Sequence, residues 1–297
     1  MASRLAKLKK NSAARLKALQ EKAEAATSKK TFEQDKRFWQ PTVDAKTGEG
    51  QAVIRFLNAP EGEDLDWAQL YVHSFKVRNK WYINNCPSTI NLPSPVMEFV
   101  SPIWDSEDKA KIAAVRDMSR KMQFISNIYV VDDPEHPENN GKVFLFKYGK
   151  QIFKIVNDAS KAVKGIDPIN PYCIQNGANF SLVITRDEKK RRSYLTSRFA
   201  RPEPLFEDEK EMEEVLAQCH SLTQFTAPDQ FLPYDELKKK LERVLGYKVD
   251  GKAIKVGDDE EEAPKTSKTK SAPKQREAEE EDEEFDMDKA LADALDD

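Results

Sequence analysis

Apolar residues recur at short spacing in six runs of the chain: QAVIRFL (51–57), AQLYVHSF (68–75), KWYINNC (80–86), NIYVVDD (127–133), KVFLFKY (142–148) and NFSLVITR (179–186). Each run is short, rich in β-branched and aromatic residues, and flanked by turn formers, so each predicts a strand. PEHPENNG (134–141) is dense in Pro, Asn and Gly and joins the fourth and fifth runs as a hairpin. SEDKAKIAAVRDMSRKM (106–122) and GKQIFKIVNDASKAVKG (149–165) predict helices between strands. After Arg201, EDEKEMEEVLAQC and YDELKKKLERVLG predict two surface helices. Five or six short strands with long insertions predict an α+β protein with a mainly β core, in the manner of a small, partly open barrel.

The two ends read differently. ASRLAKLKKNSAARLKALQEKAEAA has no Gly or Pro, and Leu5, Leu8, Leu16 and Leu19 fall near helical spacing. It predicts a basic helix whose apolar stripe is too thin for a core. TSKKTFEQDKRFWQPT is a polar lead-in, and from Asp250 large apolar residues nearly vanish among charges, Pro and Ala, which predicts disorder. The chain therefore divides into an arm (1–30), a core (31–249) and a tail (250–297).

Charge sharpens that division. The chain holds 48 Lys and Arg against 52 Asp and Glu, yet residues 1–30 carry 9 bases and 2 acids, while residues 258–297 carry 17 acids and 6 bases. A basic arm, a mildly basic body and an acidic tail point to a polyanionic ligand for which the tail can compete. Neither end shows the uninterrupted apolar run of a signal peptide or membrane span, since Lys7, Lys9, Lys10 and Arg15 interrupt the first twenty residues. Three cysteines, Cys86, Cys173 and Cys219, are too few and too odd for a disulfide framework, which fits a reducing, intracellular setting.

Candidate chemistry lies where aromatics stand beside bases. Trp81 and Tyr82 follow Lys80, and Phe124 follows Arg120 and Lys121. Phe144, Phe146 and Tyr148 alternate with Lys147, with Lys150 close behind, and Tyr194 follows Arg191 and Arg192 in the basic turn KKRR. Bases of a single strand stack on such rings while Lys and Arg track the phosphates. The competing reading makes the rings ordinary core and KKRR a solvated loop. Enzyme classes fare poorly, because the chain has no GxxxxGK[ST], HExxH or CxxC. Asp132 and Asp133 are adjacent on a predicted strand and would point to opposite faces, a poor pair for Mg²⁺. An acidic scaffold is the other class that the tail allows, and stacking with phosphate contacts would serve RNA as well as DNA.

GQAVIRFL, KWYINNCPST, NIYVVDDPEHPENNGKVFLFKYGKQIFKIV, GANFSL and SYLTSRF together resemble the single-stranded DNA-binding (helix-destabilising) protein of T-even-type bacteriophages, in the same order and at similar spacing over about residues 50–200. The resemblance implies an OB-fold, a small Greek-key barrel, with an inserted helical subdomain and a cleft that binds a short run of nucleotides with little sequence preference. It places Trp81, Tyr82, Phe124, Phe146, Tyr148 and Tyr194 around that cleft, and the cations that the sequence sets near these rings, Arg120, Lys121, Lys147, Lys150, Arg191 and Arg192, complete the candidate DNA-binding set. It also implies cooperative, head-to-tail self-association through Arg4, Lys7, Lys9 and Lys10 in the arm. Replication, recombination and repair proteins would be recruited by the tail in the cytoplasm of an infected bacterium. In the tail, Phe285, Met287, Leu291 and Leu295 are the apolar positions among the acids, and Leu291 and Leu295 share a helical face, which suits docking in a partner's groove.

The family also carries a structural zinc held by one His and three Cys. His73 and Cys86 keep the family's separation, but Ser94 and Met97 (with a gap of two), or Val96 and Phe99 (without one), stand where the last two thiols belong. A hydroxyl and a thioether do not replace two thiolates for zinc, so no metal or other cofactor is expected.

Overall fold

The computed structural model describes residues 35–162, 167–188 and 190–249. The arm with Arg4, Lys7, Lys9 and Lys10, the tail with Phe285, Met287, Leu291 and Leu295, and Lys189 of the basic turn lie outside the described residues. Among the described residues nine strands form: β1 (Phe38–Trp39), β2 (Gly50–Phe56), β3 (Ala68–Val77), β4 (Lys80–Asn85), β5 (Lys121–Asp132), β6 (Val143–Tyr148), β7 (Phe180–Arg186), β8 (Arg192–Ser193) and β9 (Arg198–Phe199). Among the described residues five α-helices accompany them: α1 (Pro95–Trp104), α2 (Lys109–Val115), α3 (Lys150–Ala159), α4 (Glu209–Leu216) and α5 (Tyr234–Leu245). The α+β class with a mainly β core is as the hydrophobic pattern predicts.

The longest strand organises the sheet. β5 pairs antiparallel with β3 over its first residues (121–125), with β6 over 124–129 and with β2 over 128–132. The path runs β1-β6-β5-β2-β7-β8, with β4 added on β3 and β9 on β7. This sheet is not closed among the described residues, so a sealed barrel is not what the hydrogen bonds build. The inward face of β2, β5, β6 and β7 buries Ile54, Phe56, Ile128, Val130, Phe146, Phe180 and Leu182 in the main core.

A second core lies across the β3–β4 hairpin. Phe75 and Tyr82 stack there (4.9 Å, 11°) against Val96, Phe99, Val100 and Ile103 of α1. Leu237, Leu241, Val244 and Leu245 of α5 close the other side. α5 is thus a structural lid on this lobe and not the surface helix its many lysines suggest. α4 likewise turns Met212 and Val215 inward, against Leu57 and Ile174.

The 106–122 helix is corrected in two ways. Glu107 takes a left-handed φ of 58°, and Asp108 caps α2 by accepting from the Ala110 and Lys111 amides (3.0 and 3.3 Å), so helix starts only at Lys109. A short 3-10 turn at Arg116–Met118 then ends it, and Lys121 and Met122 already belong to β5, paired with Val72 and Tyr71. α1 is a helix that the sequence analysis does not predict, and it holds two prolines, Pro95 and Pro102. Pro95 occupies the first turn, where a missing N–H costs nothing.

Arg55 is fully buried beneath the sheet. Its Nη2 donates to the carbonyls of Cys173 (3.1 Å), Ile174 (3.1 Å) and Glu203 (2.8 Å), pinning two loops far apart in sequence. Burial lowers the pKa of this guanidinium, but the neighbouring carbonyls keep its charge solvated by protein dipoles.

Candidate nucleic-acid interface

Along β3, Ala68, Leu70 and Val72 are buried while Gln69 is exposed and Tyr71 half-buried, the period of a strand with one face open. Tyr71 is register-paired with Met122 and Gln69 with Phe124, and paired residues share a face. Arg120, just ahead of β5, lays its guanidinium over the Tyr71 ring at 3.8 Å. It is held there by donating from Nη1 to Ser88 Oγ (2.7 Å). Gln69 Nε2 donates to the Tyr71 hydroxyl (3.1 Å), fixing the ring from its other end.

The same face continues onto α3. Phe153 lies flat on Phe124 (3.8 Å, 2°) and meets Trp67 edge-on (5.6 Å), and Trp67 stacks on Tyr172 (5.6 Å, 28°). Trp67, Tyr71, Met122 and Phe153 are all half-buried. They form a row of rings and a thioether at the rim of the main core, headed by a stacked Arg. Lys150 opens α3, and Lys154 follows one turn later, exposed. Gln151 Oε1 accepts from the Tyr194 amide (3.1 Å), which brings the 191–198 loop beside that helix. On this loop Leu195 is 76% exposed, followed by exposed Arg198.

The residues singled out from the sequence separate into groups. Tyr82, Phe124, Phe146, Tyr148 and Tyr194 are each at most 3% exposed. Rings so enclosed offer no face to a base in this conformation. Phe146 and Tyr148 pack on one another (5.4 Å), and the Tyr148 hydroxyl sits in a buried chain between Ser126 (2.9 Å) and Tyr172 (3.3 Å). Burial pushes Tyr148 well above the usual tyrosine range and Tyr172 up to about 12, so both keep their protons.

The cations are less concentrated than expected. Arg120 and Lys150 belong to the row, whereas Lys121 and Lys147 lie on the opposite faces of their strands, Lys147 with its ammonium over Phe38 (4.7 Å). Trp81 lies on the far hairpin with Lys76 over its ring (5.7 Å), away from the row. Arg191 pairs with Asp187 (3.0 Å), and Arg192 is half-buried in β8. Trp67, Gln69, Tyr71 and Phe153 were missed in the sequence. The signal present was the i, i+2, i+4 alternation of Trp67, Gln69 and Tyr71 with buried Ala68 and Leu70.

In the second lobe, His73 (1% exposed) and Cys86 (fully buried) come together. His73 Nδ1 donates to the Met118 carbonyl (2.9 Å), and Nε2 faces Ser94 Oγ (3.5 Å). Cys86 Sγ meets Ser88 Oγ (3.1 Å). Burial pushes the Cys86 thiol up, but the hydrogen bond and charge of His73, with help from Ser88, outweigh it and bring the thiol down to about 7. One imidazole and one thiol are the metal donors here, and the remaining neighbours are hydroxyls. Among the described residues no group of three or more His, Cys, Asp or Glu could hold a metal ion. The zinc implied by the resemblance does not fit this donor set.

Comparison with known proteins places these features in a family. The family model described as gp32 DNA binding protein like matches residues 48–245, which contain the open strand face, α3 and the second lobe. Two similar relatives, from Enterobacteria phage T2 and Enterobacteria phage T4, are each named single-stranded DNA-binding protein. Each is 35% identical over 242 residues, covering 76% of this chain and 78% of the relative. A protein of the same name from Escherichia phage SV14 is 44% identical over 80 residues, 26% of this chain and 70% of the relative. On the strength of the family match and of two phage relatives aligned along most of its length, the chain belongs to the gp32-like DNA-binding protein family.

Proposed function

We propose that the chain binds single-stranded DNA without sequence preference and coats it during phage replication, recombination and repair in the host cytoplasm, with no catalytic role. The observation that carries this reading is the half-buried row of Tyr71, Phe153 and Trp67 headed by Arg120 at 3.8 Å from the Tyr71 ring. Rings that are half open at a rim can each take a base for roughly 1–3 kcal/mol, and any base has a π-face, so the contact is indifferent to sequence. Arg120, Lys150, Lys154 and Arg198 supply charge along the phosphates, each neutralised phosphate adding about −0.7 to the salt slope. β2, β3, β5, β6 and β7 are read as an OB-type core left open at its edges, and the row runs along the face that such cores use for single strands.

The ends complete the reading. The arm, through Arg4, Lys7, Lys9 and Lys10, links neighbours on the strand and makes binding cooperative. The acidic tail competes with DNA for the basic surface at an effective concentration in the millimolar range and recruits partner proteins through Phe285, Met287, Leu291 and Leu295. A salt-titrated fluorescence titration with poly(dT) or duplex of equal nucleotide content tests the whole. Strong, cooperative, salt-sensitive quenching by poly(dT) alone is expected. Cooperativity should vanish when residues 1–20 are removed, and affinity should rise when the chain is cut at about 257. Equal response to both nucleic acids refutes single-strand binding, and unchanged affinity after the tail is cut refutes competition.

A further inference from the structure

We propose that the second lobe is organised without a metal ion, by two hydrogen-bonded clusters, Arg120–Ser88–Cys86 and Met118–His73–Ser94, and by the apolar lid that α5 supplies. Ser94 is the N-cap residue of α1, a position where a serine hydroxyl ordinarily accepts from the first turn's amides. Here it makes no such bond and faces His73 Nε2 instead. The hydroxyl therefore stands at the imidazole nitrogen that a ligand histidine would give to a metal, while Nδ1 is committed to Met118 O. Met97, one turn further on, is half-buried and carries only a thioether. On the opposite side, the Arg120 guanidinium bonds Ser88 Oγ, and that oxygen touches Cys86 Sγ. A fixed positive charge one hydroxyl away from the sulfur opposes a dication and favours a hydrogen-bonded thiol or thiolate.

Cohesion comes from elsewhere. A structural zinc contributes folding energy to small modules that lack a core. In this lobe Val96, Leu237, Leu241 and Val244 are each at most 2% exposed, so α1 and α5 bury their own apolar faces against the hairpin. The first cluster also ties Cys86 to the Tyr71 surface, since the same Arg120 that closes on Ser88 stacks over the Tyr71 ring.

Elemental analysis of the full chain, expressed in zinc-supplemented medium and purified without chelator, tests the proposal. The expected zinc content is below about 0.1 per chain, and a content near one overturns it. Melting with and without excess EDTA should coincide, and a lower Tm in EDTA overturns it equally. The double variant Ser94→Cys with Met97→Cys should acquire about one zinc per chain and a chelator-sensitive Tm. A folded double variant that takes up no zinc refutes the placement of Ser94 and Met97 at ligand positions. Should that variant not fold, the metal content and melting of the unaltered chain decide alone. None of these readouts involves DNA, so their failure is distinguishable from failure of the proposed DNA binding.

Discussion

Replacing Tyr71 with Ala removes two things at once. It takes away a half-buried ring at the head of the row, and it removes the platform on which the Arg120 guanidinium rests at 3.8 Å. Loss of one base stack costs roughly 1–3 kcal/mol. Releasing Arg120 adds about 0.5–1 kcal/mol at a half-open site, because the guanidinium must then be ordered on binding DNA. At about 1.4 kcal/mol per factor of ten, Kd for a short oligothymidylate should rise by roughly ten- to several-hundred-fold. A short oligonucleotide holding one molecule keeps cooperativity out of the number, and fluorescence anisotropy at fixed salt reads it. Tyr71→Phe keeps the ring and loses only the hydroxyl that accepts from Gln69, so it should stay within about threefold of wild type, as one exposed hydrogen bond predicts. The salt slope separates the ring from the charge: Arg120→Ala should flatten it by about 0.7, Tyr71→Phe not at all. A folded Tyr71→Ala protein that binds within twofold of wild type refutes the assignment of this face to the DNA.

Other expectations follow from packing and charge. Leu241→Ala should cost about 2–5 kcal/mol, because Leu241 is fully buried between α5 and the hairpin, and chemical denaturation should show it; a loss under about 0.5 kcal/mol refutes the lid. Arg55→Met removes the one nitrogen that serves three carbonyls and leaves them without that donor, and should lower stability by roughly 1–3 kcal/mol; an unchanged Tm refutes the clamp. Burial pushes Glu63 up, but bonds from Ser221, Leu222 and Thr223 outweigh it and hold it below the usual carboxylate range. Its folded pKa is depressed, so its contribution is present above the unfolded value of about 4.3 and disappears as pH falls through the folded value. The gap in urea midpoint between wild type and Glu63→Gln should therefore narrow below about pH 4, and a constant gap refutes the linkage.

The strands were legible because alternation and turn chemistry agree in each run. QAVIRFL, KVFLFKY and NFSLVITR became β2, β6 and β7 within a residue or two of the expected ends. β5 was seen only from Asn127 because Lys121–Ser126 follows a helical pattern, and pairing with β3 decides its fate. The site was harder to see. Proximity of an aromatic to a lysine in sequence does not say which face of a strand is covered, and Phe124 is sealed by Phe153, a residue 29 positions later. Phe144, Phe146 and Tyr148 do share one face, as the alternation says, but it is the face turned toward the core. The Tyr71 row is assembled from β3, β5 and α3, and such convergence leaves no local mark.

The contacts between α5 and the β3–β4 hairpin set an order on synthesis. Lys240 Nζ reaches Asn84 Oδ1 (3.0 Å) across 156 residues of chain. A ribosome adding about 5–20 residues per second takes roughly 8–30 s to cover that distance. Throughout that interval the apolar side of Phe75 and Tyr82 has no α5 to cover it, although β3 and β4 have long since left the tunnel. The hairpin lobe is therefore a late-closing unit. A nascent chain halted before Tyr234 should expose this surface to proteases and holding chaperones, and one released after Leu245 should not.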